Sequence, residues 1–135
     1  MIRSVKYGFI LLLISCVNGC NKTNSTHKVS EILIAINEVL EVNEDIDIIV
    51  ITESDCSSCF SAIRSMKNQT EDLVGLYFSK DNKSFLKTLK KLNPNIKWIP
   101  LKNRTIPKKI EEYKNSIGPF RVTRKNNYVI IEKIN

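Results

Sequence analysis

The segment Ile46–Ile51, reading Ile-Asp-Ile-Ile-Val-Ile, constrains the fold more than any other part of the chain. It is short, almost continuously apolar, and β-branched at every position but Asp47. Such residues suit a pleated backbone, and an unbroken apolar run means that both faces of the strand are buried. The segment therefore predicts a central strand in a sheet covered on both sides. Its neighbours supply the cover. Val29, Ile32, Leu33, Ile36, Val39 and Leu40 recur at helical spacing, with Ser30 placed to cap the start. Thr52–Asp55 is a loop of capping residues, and Cys56 to about Asn68 reads as a helix with Phe60, Ile63 and Met66 on one side. Leu73–Phe78 is a second strand, followed by a helix over Asn82–Leu92 with Phe85, Leu86, Leu89 and Leu92 inward. Pro94 and Pro100 break the next region, where Ile96–Leu101 reads as a short edge strand or an extended insertion. Ile106–Asn115 is helical, with Pro107 tolerated in its first turn. Gly118-Pro119 precedes a strand over Phe120–Arg124, and Asn126-Asn127 turns it into Tyr128–Ile134. Alternating helices and strands that end in a hairpin predict an α/β sandwich with a mixed sheet. A chain of 135 residues has room for one such domain.

The first twenty residues are of another kind. Arg3 and Lys6 form a basic start, and Gly8–Val17 is an apolar run of about ten residues, half of what a permanent membrane span needs. A basic start, a short apolar core and a small residue before a cut site read as an export signal over residues 1–19. The tail Val17-Asn18-Gly19-Cys20 resembles a bacterial lipobox. That resemblance implies that Cys20 is acylated and becomes the first residue of a protein tethered to the cell membrane. Ordinary cleavage after Gly19 is the alternative. Residues 20–28 then form a polar tether and 29–135 the domain. Removal of Arg3 and Lys6 lowers the formal net charge from +7 to +5, and Cys16 is lost with them.

With Cys20 lipidated, Cys56 and Cys59 are the remaining thiols, in a compartment that permits disulfides. They stand as Cys56-Ser57-Ser58-Cys59 between a buried strand and a helix. That spacing at a helix start brings the sulfurs within bonding distance, and the free amides there favour a thiolate on the first cysteine. Cys56 is expected to attack a partner's disulfide and Cys59, one turn deeper, to resolve the mixed disulfide.

Over Val29–Ile134 the chain resembles a thioredoxin-fold lipoprotein. The strand Ile46–Ile51, the motif Cys56–Cys59, the helix behind it and the Gly118-Pro119 step before a terminal hairpin carry the resemblance. It implies a thioredoxin-like three-layer sandwich, thiol–disulfide exchange with exported proteins, and a membrane redox partner. It also implies a cis-proline at Pro119 that faces the two sulfurs and, with Gly118, helps bind substrate backbone. The chain departs from the family in four places. Asp55 replaces the usual Trp before the first cysteine, and Ser57-Ser58 the usual Gly-Pro. Val50 stands where a buried acid commonly sits, and the last helix has no room before Asn135. Asp55 is placed to cap the helix, but its charge opposes a thiolate on Cys56.

Other readings of these residues are blander. Cys56–Cys59 could be a structural staple in a non-catalytic binding or assembly module, although so short a loop gains little from closure. Zinc would need two more ligands, and the one histidine, His27, falls in the tether. No cofactor or metal is therefore expected. Trp98 and Tyr77 read as core or interface aromatics. Charge divides sharply: Glu31–Asp72 carries ten acids and two bases, Leu73–Asn135 four acids and fifteen bases. A solvated surface is the simpler reading; a basic face resting on anionic lipid or steering an acidic partner is the other. Nucleic acid is not an expected partner outside the cytoplasm.

Overall fold

The β-branched run forms the middle of a five-stranded mixed sheet. The structure, a computed structural model, describes residues 25–41, 45–55, 57–66, 73–126 and 128–135, with 57–59 described by their backbone. Helix α1 spans 25–40. It is followed by β1 (Ile46–Thr52), α2 (Ser57–Ser65), β2 (Val74–Phe78), α3 (Asn82–Leu92), β3 (Lys97–Pro100), α4 (Thr105–Lys114), β4 (Phe120–Lys125) and β5 (Tyr128–Lys133). The strand order is β3-β2-β1-β4-β5. β1 pairs in parallel with β2, and β2 with β3; β4 is antiparallel to β1 and forms a hairpin with β5.

Alternation along β1 divides the core into two layers. Ile46, Ile48 and Val50 pack with Ile32 and Ile36 of α1 and with Ile106 and Ile110 of α4. Ile49 and Ile51 pack with Ile63 of α2 and with Leu89 and Leu92 of α3. The result is helices, sheet and helices in three layers, with β1 buried on both faces as its composition requires. Tyr77 and Trp98 belong to the α2–α3 layer, so both are core residues. Gly75 lies opposite Trp98 in the β2–β3 register, and a Cβ there would overlap the indole ring. The absence of a side chain at Gly75 is what lets the edge strand lay its tryptophan on the sheet.

Under β4 and β5 the same face turns polar. Asp47 accepts from Arg121 Nε (2.9 Å) and Nη2 (2.6 Å) and from Thr123 Oγ1 (3.2 Å). Burial alone would raise the Asp47 carboxyl, but its bond to Arg121 and the charge of that guanidinium hold it below the usual carboxylate range.

The N-terminal expectations need two adjustments. Residues 25–28, the described part of the expected tether, are helical and continuous with α1. Ser30 is not a cap but an interior residue whose hydroxyl donates to the Thr26 carbonyl one turn back (3.0 Å). Polar i,i+4 contacts, including His27 with Glu31 at 3.5 Å, extend this helix beyond its apolar stripe. The export signal, Cys20 and residues 21–24 lie outside the described residues.

Candidate functional site

The loop Glu53–Asp55 leaves the C-terminal end of β1, and α2 begins at Ser57. In open α/β sheets that end of a central strand is where ligands and reactive groups collect. Cys59 is the third residue of α2. Its side chain, and Cys56 as a whole, lie outside the described residues. The helix is held from behind by Asn93, fully buried, whose Nδ2 donates to the Ile63 carbonyl (3.2 Å). Ile63 itself is buried, with Phe60 and Met66 packed against the same layer, which is the apolar side expected of this helix.

Asp55 defines the loop's geometry. Its backbone N–H donates to the Thr52 carbonyl (3.1 Å), and its Oδ2 accepts from the Thr52 N–H (2.6 Å). The side chain therefore turns back to close a tight loop, where a cap on α2 was expected. Asp55 is only 6% exposed, and its Oδ1 has no hydrogen-bond partner among the described residues. Burial pushes its carboxyl above the usual value; the Thr52 N–H opposes that, and the carboxylate of Glu111 adds to it. Glu111 is paired with Arg104 at 2.9 Å, so an ion pair on α4 stands behind the buried acid.

A second set of bonds ties this loop to the start of α3. The Glu53 N–H donates to the Phe78 carbonyl (3.1 Å). Its carboxylate accepts from the Ser79 hydroxyl and from the Lys80 N–H (3.2 Å), bonds that hold Glu53 below the usual carboxylate range. Ser79 Oγ accepts from the Asp81 N–H (3.0 Å), and Asp81 caps α3 by accepting from the Ser84 N–H (3.1 Å). None of Glu53, Ser79 or Asp81 was singled out in the sequence. They meet because β1 and β2 are parallel and adjacent, so that both strands end at the same level.

Gly118 and Pro119 come to the same end of the sheet. Val50 pairs with Phe120, and continuing that antiparallel register sets Pro119 beside Ile51 and Gly118 beside Thr52. Gly118 has a φ of 142°, a conformation that favours glycine, and the Pro119 carbonyl accepts from the Ile134 N–H (2.9 Å). The expected cis bond is not found: there is no cis peptide among the described residues, so Pro119 follows a trans bond. The turn into β4 is made instead by the backbone of Gly118.

Among the described residues no three His, Cys, Asp or Glu side chains gather as for a metal ion, and no helix is long and apolar enough to cross a membrane. No protein-family model, curated protein or solved structure matches this chain. The fold and site thus define an α/β protein with a mixed sheet, a Cys-x-x-Cys sequence entering the helix after its central strand, and a buried acid beside it.

Proposed function

We propose that the chain is a thiol–disulfide oxidoreductase of thioredoxin-like build, tethered to a bacterial cell membrane through acylated Cys20 and acting on exported proteins. The observation that carries this reading is the position of the cysteine motif, which spans the step from the buried central strand to α2. The mixed sheet, the helices on both faces and the terminal hairpin support the thioredoxin-like reading. Gly118 and Pro119, at the same sheet end, support a groove for substrate backbone there even with a trans bond.

In the reaction, the Cys56 thiolate attacks one sulfur of a client disulfide, and the other client sulfur leaves as a thiolate that takes up a proton. Cys59 then gives up its proton and attacks Cys56, forming the Cys56–Cys59 disulfide and releasing the client's second thiol. The client gains two electrons, and a membrane redox partner returns them to the pair. The same steps in reverse oxidise a client.

A second reading, a binding or assembly module with a structural Cys56–Cys59 disulfide, is favoured by Asp55, whose carboxylate adjoins the attacking sulfur in the chain. One experiment separates them. In cells, Cys59→Ser is expected to trap mixed disulfides with exported proteins, and Cys56→Ser few or none. Absence of adducts in both variants refutes the oxidoreductase reading. Mass spectrometry of the mature protein tests the tether independently: an unmodified Cys20, or residues 1–19 still attached, refutes it.

A further inference from the structure

Residues 82–110 contain nine lysines and arginines and no acid. Lys97 and Lys102 stand singly on β3 and just after it, and the other seven fall into two groups. Those on or next to α4 are paired: Arg104 with Glu111, Lys108 with Glu112, and Lys109 with Glu31 of α1. Those on α3 are not. Lys83, Lys87, Lys90 and Lys91 are all exposed and make no ion pair among the described residues. Their spacing of four, three and one residues lines them along one side of an eleven-residue helix. The opposite side is anchored by Leu89 and Leu92 in the core, with Phe85 against Phe60 and Tyr77 at 6.4 and 5.9 Å between ring centroids. On the other face of the sheet, α1 and α4 carry acids beside their bases: Glu31, Glu38, Glu111 and Glu112 with Lys28, Lys108, Lys109 and Lys114. Helix α3 carries bases and no acid, so its outer side is the unbalanced one.

We propose that the lysine stripe of α3 rests on an anionic phospholipid surface. The stripe's own chemistry selects that partner. It is made of lysines alone, compact point charges without the fork that recognises phosphate or carboxylate in fixed geometry. Its aromatic residue is committed to the core, so no ring is offered for stacking on nucleic-acid bases. Laterally mobile headgroups can gather under such a row without a fitted site, each lysine adding about fivefold to the affinity. The proposal goes beyond the thiol reading and does not depend on it. It has one consequence for it: the Glu53–Ser79–Asp81 bonds fix the start of α3 to the loop that enters α2, so the surface that holds α3 also orients that loop.

The test uses the mature chain, residues 20–135 with Cys20→Ser, so that neither the export signal nor an acyl chain contributes. Its partition onto vesicles of phosphatidylcholine with phosphatidylglycerol is compared with pure phosphatidylcholine. Three stripe lysines (Lys83, Lys87, Lys90) are replaced by Glu in one variant. Three exposed lysines elsewhere (Lys102, Lys114, Lys125) are replaced by Glu in a charge-matched control. The stripe variant is expected to lose about tenfold or more of the phosphatidylglycerol-dependent partition, and the control to stay within about twofold. Raised salt should abolish the same component. Equal losses in both variants would show a net-charge effect only and overturn the proposal. So would equal binding to both vesicle types, or binding to nucleic acid or polyglutamate without binding to the anionic vesicles. Lys87→Gln alone, expected to cost several-fold, keeps the test open should the triple variant fail to fold. Thiol trapping is read separately, so failure here leaves the proposed chemistry standing.

Discussion

Replacing Asp55 by Asn should stabilise the protein at neutral pH and have little effect in acid. The wild-type carboxyl sits 6% exposed, with one oxygen on the Thr52 N–H and the other without a partner among the described residues, and burial raises its proton affinity above that of the unfolded chain. The native state therefore holds this proton more tightly than the unfolded state does. Between the unfolded and folded pKa values, stability falls as pH rises, and above the folded value the whole contribution is lost. Asn keeps the acceptor for Thr52 and never ionises. A buried polar atom without a partner costs about 1–3 kcal/mol, and a charge costs more. The amide of Asn leaves its own N–H groups without an acceptor, a cost that is the same at every pH and is matched in acid by the O–H of the protonated wild-type carboxyl. The expected pH-dependent difference is then about 1–2 kcal/mol. Urea unfolding of both proteins, fully reduced, at a series of pH values should show the Asn variant gaining on the wild type from acid to neutral. A difference that is flat with pH, or that grows towards acid, would refute the argument that this carboxyl is buried at a cost.

The same substitution in a Cys59→Ser background should lower the Cys56 pKa, seen as faster alkylation at pH values where Asp55 is ionised. Asp47→Asn should behave with the opposite sign to Asp55→Asn. It weakens the paired bonds from Arg121, costing about 1–2 kcal/mol at neutral pH, and the deficit should vanish as acid protonates the wild-type carboxyl, whose folded pKa is depressed. Thermal unfolding across the acid range checks this. Gly75→Ala forces a methyl into the Trp98 ring and should cost about 1–3 kcal/mol, with a change in tryptophan fluorescence that reports the displaced indole.

Legibility in the sequence followed the physics of each element. β1 and α3 were readable nearly to the residue, because their burial is written as β-branched continuity in one and helical spacing in the other. β3 was readable only as a choice between strand and insertion. What decides it is the space over Gly75 in a neighbouring strand, which no local window contains. The start of α1 was missed because its first turn is carried by polar contacts rather than apolar periodicity. At the site, the motif was plain and its supports were not. Glu53 and Ser79 are 26 residues apart and meet only through parallel pairing. Asp55, in a run of serine, threonine and acidic residues, reads as a cap for the helix that follows until the Thr52 turn folds it inward. The cis bond was an expectation borrowed from a resemblance, and the glycine before Pro119 supplies the turn without it.

The two borders of the sheet are not alike, and this bears on self-association. An uncovered strand edge is a template for another chain. β3 closes one border with four residues, an exposed lysine at its start and, at its end, Pro100, which has no N–H to offer. β5 forms the other border with six residues, among which Tyr128 and Ile130 are 76% and 51% exposed. Among the described residues, strand addition is thus blocked on the β3 side and open on the β5 side. Aggregation of this protein should end at pairs joined β5 to β5, since a pair built that way presents only two β3 borders and cannot grow into a fibre.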